Sequence, residues 1–309
     1  MSDIKPRTLR VGVHPSNPSL FALRRKEILE ELLDPLGATV DWTDYPSGLE
    51  TIGLFQEDRI DVSGTGATPP ITLQAAGVPV VYIAASDPRP AHGKLVVRKD
   101  SEIDSVADLR GRKVALAHGS YQTILLAVAL DQSELKFDDV ERVDTAAADA
   151  KSDSSRGRAL LEAGEVDAWI GGDPDLLAAE RAGTVRELIP TETVMSNRSV
   201  WFGTKALAQS DPDLIDAFVA GLQKIDAWIE KNPAEAGRFF ADHAPGELGA
   251  AEWEQALSRR PWGPRHIGEG FIAEQQRAAD LLARQGIIAR EVDIRDAVVE
   301  PSPSLAGVA

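Results

Sequence analysis

The sequence predicts an α/β protein of two lobes, each a mainly parallel sheet covered by helices, with a ligand cleft between them. Three observations carry this. Strand-like apolar runs alternate with runs of helical period along most of the chain. The alternation pauses at a proline-rich stretch, "SDPRPAHG" (86–93), and then restarts. Loops of small polar residues follow the strands and lead straight into helices, which is where open α/β sheets bind ligands.

In chain order, "TLRVGV" (8–13) reads as a buried strand and "LFALRRKEILEELL" (20–33) as one amphipathic helix. "TVDWTDY" (39–45) alternates as a strand, a helix follows over 48–56, and "IDVSG" (60–64) is a short strand. Residues 69–77 form a helix closed by Gly77, and "VPVVYIAA" (78–85) is an apolar strand. After the crossover, "KLVVR" (94–98) and "RKVALA" (112–117) are strands, 119–132 a helix, and "DVERVD" (139–144) a strand. Residues 157–183 read helix, strand, loop, helix, and "NRSVWFGT" (197–204) is a strand whose polar start suits a second crossover. The remainder is mainly helical, with 211–231 the best amphipathic run and 270–286 the next. These breaks divide the chain into one lobe of 1–88 with 197–309 and a second of 89–196.

Composition narrows the chemistry. A chain of 309 residues with net charge −16 and no basic cluster interleaved with aromatics argues against a nucleic-acid partner. Zero cysteines removes disulfides, thiolate nucleophiles and Cys-ligated metals, and five scattered histidines in no ligating spacing predict no metal and no cofactor. No apolar run is long enough to span a bilayer, and "MSDIKPRTLRVGV" has no secretory signal features. The expected location is therefore periplasmic or surface-anchored for a trimmed mature chain, and cytoplasmic if Met1 is the native start.

Four loops should face the cleft: "HPSNPS", "SGTGATPP", "HGSYQT" and "GGDPD". Three of them offer hydroxyls and glycine-released N–H groups at a helix start, a donor set suited to an oxyanion. Such residues also serve as ordinary helix caps, so convergence on one cleft is what favours a ligand. His14, at the end of the first strand, is a candidate contact. Trp169 reads as core, whereas Trp201 and Trp262 are candidate walls for an organic ligand.

The stretches "TLRVGVHPSNPSL", "YPSGLETI", "IDVSGTGATPPITLQAAGVPVVYIA", "SVADLRGRKVALAHGSYQTILLAVAL", "GEVDAWIGGDP" and "REVDIRDAV" resemble the aliphatic-sulfonate branch of ABC-transporter substrate-binding proteins, near the taurine and nitrate binders. The likeness runs from about Thr8 to Val298. It implies a two-lobed periplasmic-binding-protein fold of type II that closes by a hinge over an anion and serves an ABC permease and ATPase. His14 stands where that family usually has Gln. Ser63, Gly64, Thr65 and Gly66 match the first anion loop, Gly119, Ser120 and Tyr121 the second, and Asp173 the Asp of the family's aromatic-Asp-Pro motif. Arg260 in "SRRPWG" matches a position near the C-terminal helices. Gly171 and Gly172 replace the family's bulky aromatic, which predicts a pocket widened for a longer sulfonate tail. A related desulfinase branch uses a cysteine nucleophile, and this chain has none. A cytoplasmic enzyme or sensor using His14, His92 and His118 is the rival reading, and nitrate or phosphonate the rival ligands.

Overall fold

In a computed structural model, residues 7–14, 17–45, 48–145, 153–244 and 248–305 are described. Pro15, Ser16, Pro46 and Ser47 of the quoted loops lie outside them. The chain opens with β1 (Arg7–Val13), α1 (Pro18–Arg25), α2 (Ile28–Leu33), β2 (Ala38–Asp44), α3 (Thr51–Gln56), β3 (Val62–Thr65), α4 (Thr68–Ala75) and β4 (Val80–Ala85). It continues through β5 (Gly93–Arg98), β6 (Lys113–Leu116), α5 (Tyr121–Gln132), β7 (Glu141–Asp144), α6 (Asp153–Glu162), β8 (Ala168–Gly172), α7 (Asp175–Ala182) and β9 (Val185–Glu187). β10 (Val200–Thr204) precedes α8 (Lys205–Ser210), α9 (Pro212–Lys231), α10 (Pro233–His243), α11 (Ala250–Ser258) and α12 (Glu269–Arg284).

Two five-stranded sheets result, ordered β2-β1-β3-β10-β4 and β7-β6-β8-β5-β9. β1 pairs in parallel with β2 and β3, and β6 with β7 and β8. One strand in each sheet runs against the rest: β10 is antiparallel to β3 and β4, and β5 to β8 and β9. Both follow the crossovers, and the reason is geometric. Within a strand-helix-strand unit the helix carries the chain back to the starting end of the sheet. A crossover has no such helix, so the strand enters from the end where its predecessor stopped.

The single helix expected over 20–33 is interrupted. Glu27 takes φ 52°, which ends α1 and restarts the chain as α2. The break lets both pieces bury apolar faces: Leu20, Ala22 and Leu23 from α1, Leu29 and Leu33 from α2. Both pack against α9, whose Leu214, Phe218, Leu222, Ile225 and Ile229 repeat at helical spacing and are buried. α12 packs instead on α5, beside the second sheet. Gln275 of α12 donates to Ala67 O at 2.7 Å and to Tyr82 Oη at 3.1 Å, so the same helix also holds the loop after β3. Among the described residues no helix is long and apolar enough to cross a membrane.

Candidate functional site

The carboxyl ends of β1, β3 and β6 meet between the two sheets, and each feeds a helix. Asn17 caps α1: its Oδ1 accepts from Leu20 N at 3.0 Å, and its Nδ2 donates to Gly64 O at 2.8 Å, tying the loop after β1 to the end of β3. Thr65 ends β3, and Pro69 and Pro70 open α4, where a missing N–H costs nothing and the fixed φ suits the first turn. Ser120 caps α5, accepting from Gln122 N at 3.2 Å and donating to Ala117 O at 2.7 Å.

These three helix starts are locked together by close backbone approach. Thr68 Oγ1 donates to Ser120 O at 2.6 Å across the gap between the sheets. A Cβ on Gly48 would lie 2.6 Å from Gly119 O, and one on Gly66 would lie 2.6 Å from Tyr121 Cβ. Gly119 also needs its left-handed φ of 74°. The cavity so formed is lined by His14, Asn17, Gly48, Thr65, Gly66, Pro69, Arg89, His92, Ser120, Tyr121 and Ser199. It contains no carboxylate among the described residues. Three helix dipoles turn their positive ends towards it, an arrangement that favours an anion.

A full positive charge joins them. Arg89, in the proline-rich crossover, is only 5% exposed, and its Nε has no hydrogen-bond partner among the described residues. It also makes no ion pair with a described carboxylate. Burial, and then the charge of Arg260, pull its guanidinium down from the usual arginine value. Arginine nevertheless stays protonated in proteins, so the fold bears the cost of a buried cation. Arg260 lies behind the wall: its Nη2 donates to Ser199 Oγ at 3.1 Å, its guanidinium sits 4.7 Å from the Trp262 ring centre, and its Nε and Nη1 have no partner among the described residues. Burial pushes its value down to about 10. His92 is held well below the ordinary histidine range by burial first and then by Arg89, Arg260 and Arg259, so it is a neutral donor and acceptor.

Of the residues singled out from sequence, His14, Thr65, Gly66, Ser120 and Tyr121 line this cavity. Ser63, Gly64 and Gly119 hold the loops from behind. Ser63 Oγ donates to Gly12 O at 2.9 Å and meets Tyr45 Oη at 2.7 Å, facing the sheet core. Gly64 lies under the Trp201 indole, which leaves room for no side chain. Trp201 itself is 1% exposed in the core and forms no wall, because the β10 ladder turns it behind Gly64. Trp169 is fully buried, as expected of core.

Asp173 is turned away. Its carboxylate lies 3.3 Å from Arg259, which also bonds Glu180 at 2.9 Å and Ala91 O at 3.0 Å. Burial raises Asp173 to about 7 despite the opposing pull of Arg259. Nor do Gly171 and Gly172 widen the pocket. A Cβ on Gly171 would lie 2.9 Å from the Trp169 ring, and Gly172 is paired with Gly93 in the β5–β8 ladder. The volume removed from the motif is refilled from within the same strand. His118 also lies outside the cavity lining, its backbone N–H donating to Asp144 Oδ1 at 3.2 Å.

Arg89, Asn17 and Ser199 were not picked out from sequence. An arginine between Pro88 and Pro90 reads as a solvated linker. The available signal was its position just past the carboxyl end of β4, where the strand-end rule applies as it does to His14.

Residues 37–236 match the NMT1/THI5-like family. The chain belongs to that family. Among solved structures, it is similar to the alkanesulfonate-binding protein SsuA from Xanthomonas axonopodis pv. citri bound to MOPS, at 26% identity and TM-score 0.82, covering 95% of this chain and 98% of that one. The periplasmic aliphatic sulphonate binding protein SsuA from Escherichia coli matches at 28% identity and TM-score 0.81, covering 96% and 93%. The two sheets and their crossovers are thus those of the periplasmic-binding-protein fold, shared within this NMT1/THI5-like chain's structural neighbourhood. The desulfurization enzyme DSZB shares the fold at 18% identity and TM-score 0.64, covering 97% of this chain and 98% of its own.

Proposed function

We propose that this protein binds a small organic sulfonate between a lobe of 1–88 with 197–309 and a lobe of 89–196, and delivers it to the permease and ATPase of an ABC importer. The observation that carries this reading is the convergence of three helix N-termini and the buried Arg89 on a cavity with no carboxylate in its described lining. A sulfonate is ionised at every physiological pH, so it needs fixed donors and a positive field, and no base. His14, Thr65, Gly66, Ser120 and Tyr121 contact the ligand, with Ser199 and His92 completing the wall; Arg260 acts through Ser199, and Asp173 by holding Arg259. The negative net charge of −16 does not oppose this, since distant charge is screened within about 8–10 Å in physiological salt.

The sulfonate-binding SsuA relatives at 26% and 28% identity support the ligand class, and the periplasmic E. coli relative supports a location outside the cytoplasm. Contacts such as Thr68 to Ser120 and Gly48 to Gly119 join the two lobes beside the cavity, so binding and hinge closure are one event. A thermal-shift panel of sulfate, taurine, alkane- and arylsulfonates, nitrate, phosphonates and carboxylates tests the reading. At about 100 times its Kd a ligand stabilises the native state by about 2.7 kcal/mol, a shift of a few degrees for a chain this size. Shifts confined to organic sulfonates are expected; a response only to nitrate, phosphonate or carboxylate contradicts the ligand class.

A further inference from the structure

We infer that the ligand is a short sulfonate bearing a second acidic group at its far end, with Arg89 as the residue that selects that group. The inference rests on the sulfonate reading above and refines its substrate class.

The first observation is the chemistry of the wall. Among the described residues lining the cavity there is no aliphatic, Phe or Trp side chain; the Pro69 and Tyr121 rings are its apolar surfaces. A long alkyl tail would cover Arg89, His92 and Ser199 without bonding them, and unmet buried polar groups are costly. The second is the absence of an annex: the space beside Gly171 is filled by Trp169. The third is that the donors fall into two sets. The dipoles of three helix starts supply one sulfonate with a positive field. Arg89 then remains, 5% exposed, its Nε unpartnered.

No described carboxylate forms an ion pair with it. Asp173 is taken by Arg259 at 3.3 Å, and Asp226 accepts from Gly263 N at 3.0 Å while its field acts on Arg260. A guanidinium fork presents paired N–H donors that match a planar carboxylate. One sulfonate carries a single charge, so a second anionic group is what the remaining cation is placed to meet.

Calorimetric titration of the full chain with three sulfonates tests this: 3-sulfopropanoate, 3-hydroxypropane-1-sulfonate and pentane-1-sulfonate, with succinate as the control lacking sulfonate. The expected result is that 3-sulfopropanoate binds at least tenfold tighter than the hydroxyl compound, with the pentyl compound weakest. Arg89→Gln should erase that preference, lowering 3-sulfopropanoate affinity at least tenfold more than hydroxypropanesulfonate affinity, its ligand-free melting temperature first confirming a folded chain. The wild-type series stands on its own if the variant does not fold. Equal or tighter binding of the hydroxyl or pentyl compound overturns the inference, as does an equal loss for all three in Arg89→Gln, which would assign Arg89 to the sulfonate itself. Binding of succinate with no response to any sulfonate would overturn the underlying sulfonate reading as well.

Discussion

The loops after β3 and β8 look alike in sequence and act in opposite ways. "GTGATPP" and "IGGDPD" both run through glycines to a proline at a helix entrance. The first places Thr65 and Gly66 on the cavity; the second keeps out of it and commits Asp173 to Arg259. The difference that decides it is the ionisable side chain of Asp173 at the strand end. A bare carboxylate at that strand end would repel an anion, so Arg259 covers it and turns the loop into an attachment between the lobes. Small residues at a strand end therefore define an opening, and charge decides what enters.

The largest expected effect comes from removing the cation on the open side. Arg89→Gln should weaken the tightest-binding sulfonate by about 1.5–3 kcal/mol, the range for hydrogen bonds to charged groups and roughly 10–150-fold in Kd. Calorimetry reads it, and an unchanged Kd would remove Arg89 from the site. Next is the contact that brings the lobes together. Gly48→Ala sets a methyl 2.6 Å from Gly119 O, and overpacking of this kind costs about 1–3 kcal/mol. Ligand affinity should fall accordingly; full affinity would mean that the contact is dispensable.

The β8 side is probed by pH. Burial, opposed by Arg259, holds Asp173 at about 7, above the ordinary carboxyl value of 3.8. Between those values the folded chain holds a proton that the unfolded chain releases, so stability falls as pH rises through this window. From pH 5 to 6.5 the loss from this group is up to about 2 kcal/mol. Asp226, raised to about 6 mainly by burial, acts in the same direction. Urea unfolding at the two pH values should show a smaller loss in Asp173→Asn than in the native sequence; an identical slope would mean that Asp173 titrates normally. The smallest effect belongs to a cap. Ser120→Ala should cost about 1 kcal/mol of stability, because its hydroxyl accepts from Gln122 N, and no change in thermal unfolding would contradict that role.

Much of this was legible from residues. Period-two runs located the strands, and glycine-hydroxyl loops located the helix starts that meet at the cavity. Strand direction was less accessible: β5 and β10 have ordinary strand patterns, and only the missing return helix makes them antiparallel. Glu27 is as polar as its neighbours, so the break between α1 and α2 left no mark on the periodicity. Gly171 promised space that Trp169, two residues earlier, folds back to occupy. Neighbouring arginines were indistinguishable as well, yet Arg259 reaches the second lobe while Arg260 turns to Ser199. Such outcomes depend on which group a long side chain finds across the cleft, and local pattern does not encode that.

The central claim is that fixed donors at three helix starts hold a sulfonate. Calorimetric titration of the full chain with 3-hydroxypropane-1-sulfonate against 4-hydroxybutanoate tests it most directly, since the two differ chiefly in the anionic head. The sulfonate should bind at about micromolar Kd or tighter and at least tenfold better than the carboxylate. Equal affinities, or a preference for the carboxylate, would contradict it.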